Sequence, residues 1–221
     1  MDPVFKGLAK ELRANGVKVE VVPGWKTRGR DGAFAVIGKM NHHTASPSTS
    51  GPRPALGIVT HGRSDLPGPL ANFLAPRNGG IIIVAAGRCN HGGTGGPFRF
   101  VGKDAANATC LSVEIENNGV GEKYPPDQML SIAVLNAVLL KRLNRGKWSS
   151  IGHKEYTSRK IDPSFDLGSF RQRVGRTLKT LGKKTFVVTA TKRREITGRK
   201  KAGAWAKLMR GRKFQTTVKE K

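Results

Sequence analysis

Acidic residues are scarce in this chain of 221 residues: 15 Asp and Glu stand against 40 Lys and Arg, a net charge of +25. So one-signed a composition selects a polyanionic partner. Cysteine is scarcer, with Cys89 and Cys110 alone. That excludes a disulfide framework and a cysteine-built zinc finger, and we read both as free thiols of a reducing compartment. No apolar run approaches about 18 residues, so no membrane-spanning helix is expected. The opening MDPVFKGLAKEL lacks the basic-then-apolar layout of a secretion signal, and synthesis in a cytoplasm is the expectation. Nucleic acid is the first polyanion that the charge suggests. The chain nevertheless carries no zinc-finger spacing, basic zipper or aromatic RNA-binding signature.

What is present is concentrated in the stretch 152–167, GHKEYTSRKIDPSFDL. It gathers His153, Lys160 and Asp162 into a short loop that ends where a helix can begin. Zinc accepts neutral imidazole nitrogen and carboxylate oxygen, and a catalytic site leaves one position open. His153 and Asp162 can supply two such ligands if the loop folds back on itself. Lys160 precedes Asp162 by two residues and shares its face in an extended segment. A cation there suits a place where negative charge develops, such as the oxyanion of an attacked carbonyl. Taken alone, the loop reads equally as a surface turn at Asp162-Pro163, and a metal site requires a third ligand from elsewhere.

That ligand is sought in NHHTAS, residues 41–46, after the apolar run FAVIGKM (34–40), which reads as a buried strand. Side chains alternate across a strand, so one of His42 and His43 faces the site, and chemistry alone does not choose. In LSVEIENNG (111–119), Leu111, Val113 and Ile115 alternate with Ser112, Glu114 and Glu116. One face is apolar and the other carries two carboxylates, which favours solvent or a metal on that side. IIIVAAG (81–87) has the composition of a central, doubly covered strand. It leads into RCNHGGTGG, whose glycines let a ligand approach the backbone closely. No Lys-Ser follows, so this is not a phosphate loop.

Together, NHHTAS, SVEIENNG and GHKEYTSRKIDPSFD resemble the zinc-dependent N-acetylmuramoyl-L-alanine amidases, the group that includes amidase-type phage lysozymes and the peptidoglycan recognition proteins. The similarity covers about residues 24–180 and is strongest to endolysins of actinobacterial phages. It implies an α/β fold, a mixed central β-sheet flanked by helices, and hydrolysis of the amide between muramic acid and L-alanine. It points to His42, His153 and Asp162 as ligands of Zn2+; many relatives have Cys where Asp162 stands. It makes Glu114 the catalytic acid and base and Lys160 the residue that stabilises the oxyanion. Glu116 orients a histidine or binds solvent, and with His91 and Asn72 is placed among substrate contacts. His61 reads as a loop histidine without a site role. The expected partners are bacterial peptidoglycan and anionic wall polymers, reached after synthesis in a host cytoplasm. The alternatives are a recognition protein that binds peptidoglycan without cutting it and, further off, a nucleic-acid-binding protein.

The remaining pattern is architectural. A short helix is expected over 3–15, capped by Asp2 and ended by Gly16, followed by an edge strand over 17–22. Trp25 reads as a lid on the core. SPSTSGPRP (46–54) has the composition of a flexible surface loop at a groove rim. The 3.6-residue period predicts helices over 126–144 and 169–181, the second capped by Asp166. The catalytic domain is placed at 1–182. Residues 183–221 hold 14 Lys or Arg against 2 Glu, a net 14 − 2 = +12. This basic appendage reads as a wall-binding module with strands at TFVVTAT and FQTTV, or as a tail.

Overall fold

The computed structural model describes residues 2–182; the calls on 183–221 lie outside the described residues. Asp2 accepts a hydrogen bond from Val4 N (2.8 Å) at a short 3-10 turn, and helix α1 (Leu8–Ala14) follows. The expected single helix is thus two pieces, separated at Gly7, whose φ is +69°. Strand β1 (Val19–Val21) leads to β2 (Gly38–His43), helix α2 (Leu56–His61) and a small ribbon of β3 (Gly62–Arg63) and β4 (Leu66–Pro67). Next come β5 (Phe73–Ala75), β6 (Ile81–Ile83), the single turn α3 (Ala106–Thr109) and β7 (Cys110–Ile115). Helix α4 (Pro126–Arg142), β8 (Ser150–Gly152), α5 (His153–Tyr156) and α6 (Leu167–Thr180) complete the described chain.

Six strands form one mixed sheet in the order β1-β6-β5-β7-β2-β8. Only β5 and β6 run antiparallel; the other neighbours are parallel. As expected, β1 is an edge and β6 is buried, although β6 lies next to that edge and spans only three residues. One face packs on α4, α1 and α6 through Leu111, Val113, Ile115 and the apolar side of α4. On the other, Leu74, Ile82 and Val84 meet Ala55 and Val59. Trp25 packs beside Phe5, centroids 6.0 Å apart, as a partly buried lid. Asp166 caps α6, accepting from Ser169 N at 2.6 Å.

The predicted strand 34–40 is displaced: β2 begins at Gly38 and runs through both histidines. Phe34 to Ile37 instead lie along α3, with Ala35 N and Ile37 N donating to the carbonyls of Ala108 and Thr109. The strand carries polar side chains inward because partners await them. Asn41 donates to Ser150 Oγ and the Ile151 carbonyl, and Asn136 of α4 donates to Asn41 Oδ1 at 3.0 Å. Lys39 is the exception. It is fully buried over the Phe73 ring (5.7 Å), and its Nζ has no hydrogen-bond partner.

The Ser/Pro/Thr-rich loop is exposed but held from beneath. Glu116 is fully buried and accepts from Thr44 Oγ1 and Ala55 N, both at 2.9 Å, and from Ser46 Oγ. Arg77 donates to the carbonyls of Ser46 and Gly51 and pairs with Glu122 at 2.7 Å. Composition suggested flexibility because these anchors lie far away in sequence.

Two outcomes follow. Burial drives the Lys39 amine well below its ordinary 10.5, so between its native pKa and 10.5 the unfolded chain binds more protons and stability rises with pH. Lys39→Met should abolish that slope in melts taken across this window and stabilise the fold at neutral pH by roughly 1–3 kcal/mol. Glu116→Ala strands Ala55 N, two hydroxyls and part of Arg77, and should cost about 3 kcal/mol. The check is denaturant unfolding at 25 °C.

Candidate metal centre

The site forms at the carboxyl ends of three neighbouring parallel strands, where side chains leave a rigid sheet for open space. His42 is the fifth residue of β2, and its Cα is paired with that of Glu114 on β7, so the two side chains share one face. His43 points the other way and hydrogen-bonds Tyr124 Oη at 3.2 Å, so alternation separates the two histidines. His153 opens α5 directly after β8. The loop beyond α5 returns as expected, with Lys154 N donating to the Asp162 carbonyl at 2.7 Å. Tyr124 Oη also contacts Ser164 Oγ at 2.9 Å, tying this loop to the end of β2.

His42 Nδ1, His153 Nδ1 and Asp162 Oδ2 lie 3.1 Å from one another in all three pairs. All three residues are buried and can share one metal ion. The edge of a tetrahedron built on zinc–ligand bonds of 2.0–2.1 Å is about 3.3 Å, so the spacing fits a common ion. His153 Nε2 donates to the Gly92 carbonyl at 3.0 Å, which leaves the Nδ1 lone pair of a neutral ring for the cluster. Burial first, then the neighbouring His153, pushes His42 down to about 4. Near neutral pH His42 is therefore a neutral imidazole, the form that binds metal.

Glu114 adjoins this triangle. Its Oε2 is buried without a hydrogen-bond partner. Burial, with Asp162 and Glu116 adding negative charge, raises its carboxyl well above the ordinary range, while Lys160 opposes the shift. Lys160 is exposed at the rim. The arrangement offers three candidate ligands with a buried carboxyl oxygen beside them and an exposed lysine on the returning loop.

Of three expected substrate contacts, Asn72 and Glu116 stand away from the triangle and His91 adjoins it. Asn72 is fully buried and donates to the carbonyls of Ala85 and Gly87 while accepting from Ser112 N, so it braces β5 against β7. Glu116 is the loop anchor described above and has no surface left for a substrate. His91 places Nδ1 on His42 Nε2 (3.2 Å) and Nε2 on the Cys110 carbonyl (3.3 Å), so both ring nitrogens are engaged within the protein. No local pattern marks these roles, because each depends on a partner 15 or more residues away. His61 is exposed at the end of α2. Cys89 and Cys110 are buried and free; burial raises both thiols, Cys110 to about 12.

No curated protein matches the chain. Solved structures share its fold. An endolysin amidase from Clostridium intestinale is 21% identical, covering 71% of this chain and 95% of its own, with a TM-score of 0.51. A mutant endolysin from Bacillus subtilis is 15% identical over 72% and 99%, with a TM-score of 0.54. AmpDh3 from Pseudomonas aeruginosa, solved with an anhydromuramic pentapeptide, is 19% identical over 66% and 62%, with a TM-score of 0.51. The sequence profile Amidase_2, described as N-acetylmuramoyl-L-alanine amidase, matches residues 35–165, a span that holds the whole His42, His153 and Asp162 triangle, and the chain belongs to that family.

Proposed function

We propose that this chain is the zinc-dependent lytic amidase of an actinobacterial phage, made in the host cytoplasm and acting on the wall after release. It hydrolyses the amide between N-acetylmuramic acid and L-alanine of peptidoglycan, the reaction of its family. The observation that carries the reading is the mutual 3.1 Å spacing of His42 Nδ1, His153 Nδ1 and Asp162 Oδ2, with the unpartnered Glu114 beside them. His42, His153 and Asp162 would hold the zinc, which would supply a water nucleophile near neutral pH and a Lewis acid for the carbonyl oxygen.

The chain's own groups do the rest. Glu114 takes the proton of the attacking water and returns it to the amine of the departing L-alanine. The burial that raises its carboxyl also makes it able to hold that proton between the two steps. Lys160 sets positive charge where the tetrahedral oxyanion develops. The net charge of +25 draws the protein to a wall rich in phosphate and carboxylate. A protein that only binds peptidoglycan needs neither a full ligand set nor an acid–base group, and this chain keeps both.

The experiment is digestion of purified actinobacterial peptidoglycan with and without chelator, assaying new N-terminal L-alanine. Release that chelator stops and zinc restores is the expected outcome; binding without release would assign the recognition role. Glu114→Gln should lower kcat by about 10²–10⁴-fold. Lys160→Ala should lower kcat by about 10²–10³-fold with KM little changed, and an unchanged rate in that variant would remove Lys160 from the mechanism.

A further inference from the structure

Both histidines of the triangle are braced by one two-residue segment. His91 receives His42 through its ring, and Gly92 receives His153 through its carbonyl. The segment is itself fixed by α3: Asn107 Oδ1 accepts from His91 N and Gly92 N, both at 2.8 Å. Gly92 lies against the same turn, so closely that a Cβ there would stand 2.4 Å from Ala106 Cβ. The preceding residue, Asn90, is tied by its N–H to the Pro69 carbonyl and by its side chain to the Pro67 carbonyl.

The hydrogen bonds fix proton positions in sequence. A carbonyl only accepts, so the Cys110 carbonyl requires the proton of His91 on Nε2. In a neutral ring His91 Nδ1 is then an acceptor, and His42 Nε2 must donate to it. His42 Nδ1 is left with its lone pair inside the triangle. The Gly92 carbonyl imposes the same tautomer on His153. Outer partners of this kind orient ligating imidazoles and raise their basicity.

We propose that Asn107, His91 and Gly92 form one brace that sets the tautomer and orientation of both histidine ligands, with Asn107 and His91 as positioning residues. The inference rests on the metal-site reading above. Asn107 acts through the backbone and touches neither metal nor substrate. His91, expected from the sequence to meet substrate, acts through His42.

The test measures zinc affinity of the full chain by chelator competition, together with the visible spectrum of the Co2+-substituted protein and the melting temperature of the metal-free form. His91→Leu removes the acceptor for His42, and Asn107→Leu releases the segment; each should weaken zinc binding about 10–100-fold and alter the Co2+ bands. His91→Asn keeps an acceptor near the Nδ1 position, and Asn107→Asp keeps the carboxamide-like oxygen, so each should recover most of the loss. Wild-type affinity and Co2+ bands in both Leu variants would overturn the brace, as would equal losses in the Leu and conservative variants. A wild-type chain that fails to bind zinc would instead overturn the metal-site reading itself. If His91→Leu does not fold, the Asn107→Leu and Asn107→Asp pair decides the matter alone.

Discussion

The structure depends on a repulsion it must hold in place. His42 Nδ1, His153 Nδ1 and Asp162 Oδ2 meet at 3.1 Å in a buried pocket. With the imidazole protons turned outward, three acceptors face one another. Such a cluster is costly to desolvate without a cation between its members, and costly to assemble unless the backbone is rigid. The parallel register of β7, β2 and β8 supplies the rigidity, since it brings three carboxyl ends to one edge. His42 and His153 then leave the sheet at positions set by main-chain hydrogen bonds, and the hydrogen bond from Lys154 N to the Asp162 carbonyl brings the third ligand back on its loop.

The same logic explains the buried polar groups nearby. Asn41, Ser150 and Asn136 bind one another beneath the strand ends, Asn72 couples β5 to β7, and Glu116 with Arg77 fixes the loop after β2. Each is satisfied by two or more partners, the condition under which buried polar networks specify a unique arrangement. Lys39 does not meet that condition, since it contributes no hydrogen bond from Nζ in return for its burial.

Elements with a strong period were legible in the sequence. The apolar stripe of α4 and the cap of α6 at Asp166 gave both helices to within a few residues. The His42, His153 and Asp162 set was legible through residue chemistry and motif resemblance together, since spacing alone left His42 and His43 equivalent. The strand over 34–40 was misplaced because apolar content marks Phe34 to Ile37, whereas the real strand is built from Lys39, Asn41, His42 and His43. Those polar residues are buried by virtue of distant partners, which a local pattern does not reveal. Asn72, Glu116 and His91, placed among substrate contacts by the resemblance, are hydrogen-bonded within the protein to partners that a local pattern does not reveal. Their hydrogen bonds turn them into supports.

In the proposed site two imidazoles and one carboxylate hold a single zinc ion. X-ray absorption at the zinc edge of the full chain, reconstituted with one equivalent of zinc, tests it most directly. The expected result is a four-coordinate ion with only nitrogen and oxygen neighbours at about 2.0–2.1 Å, two of them showing the outer-shell scattering of imidazole. Sulfur at about 2.3 Å, or a six-coordinate hydrated ion without imidazole scattering, would contradict it.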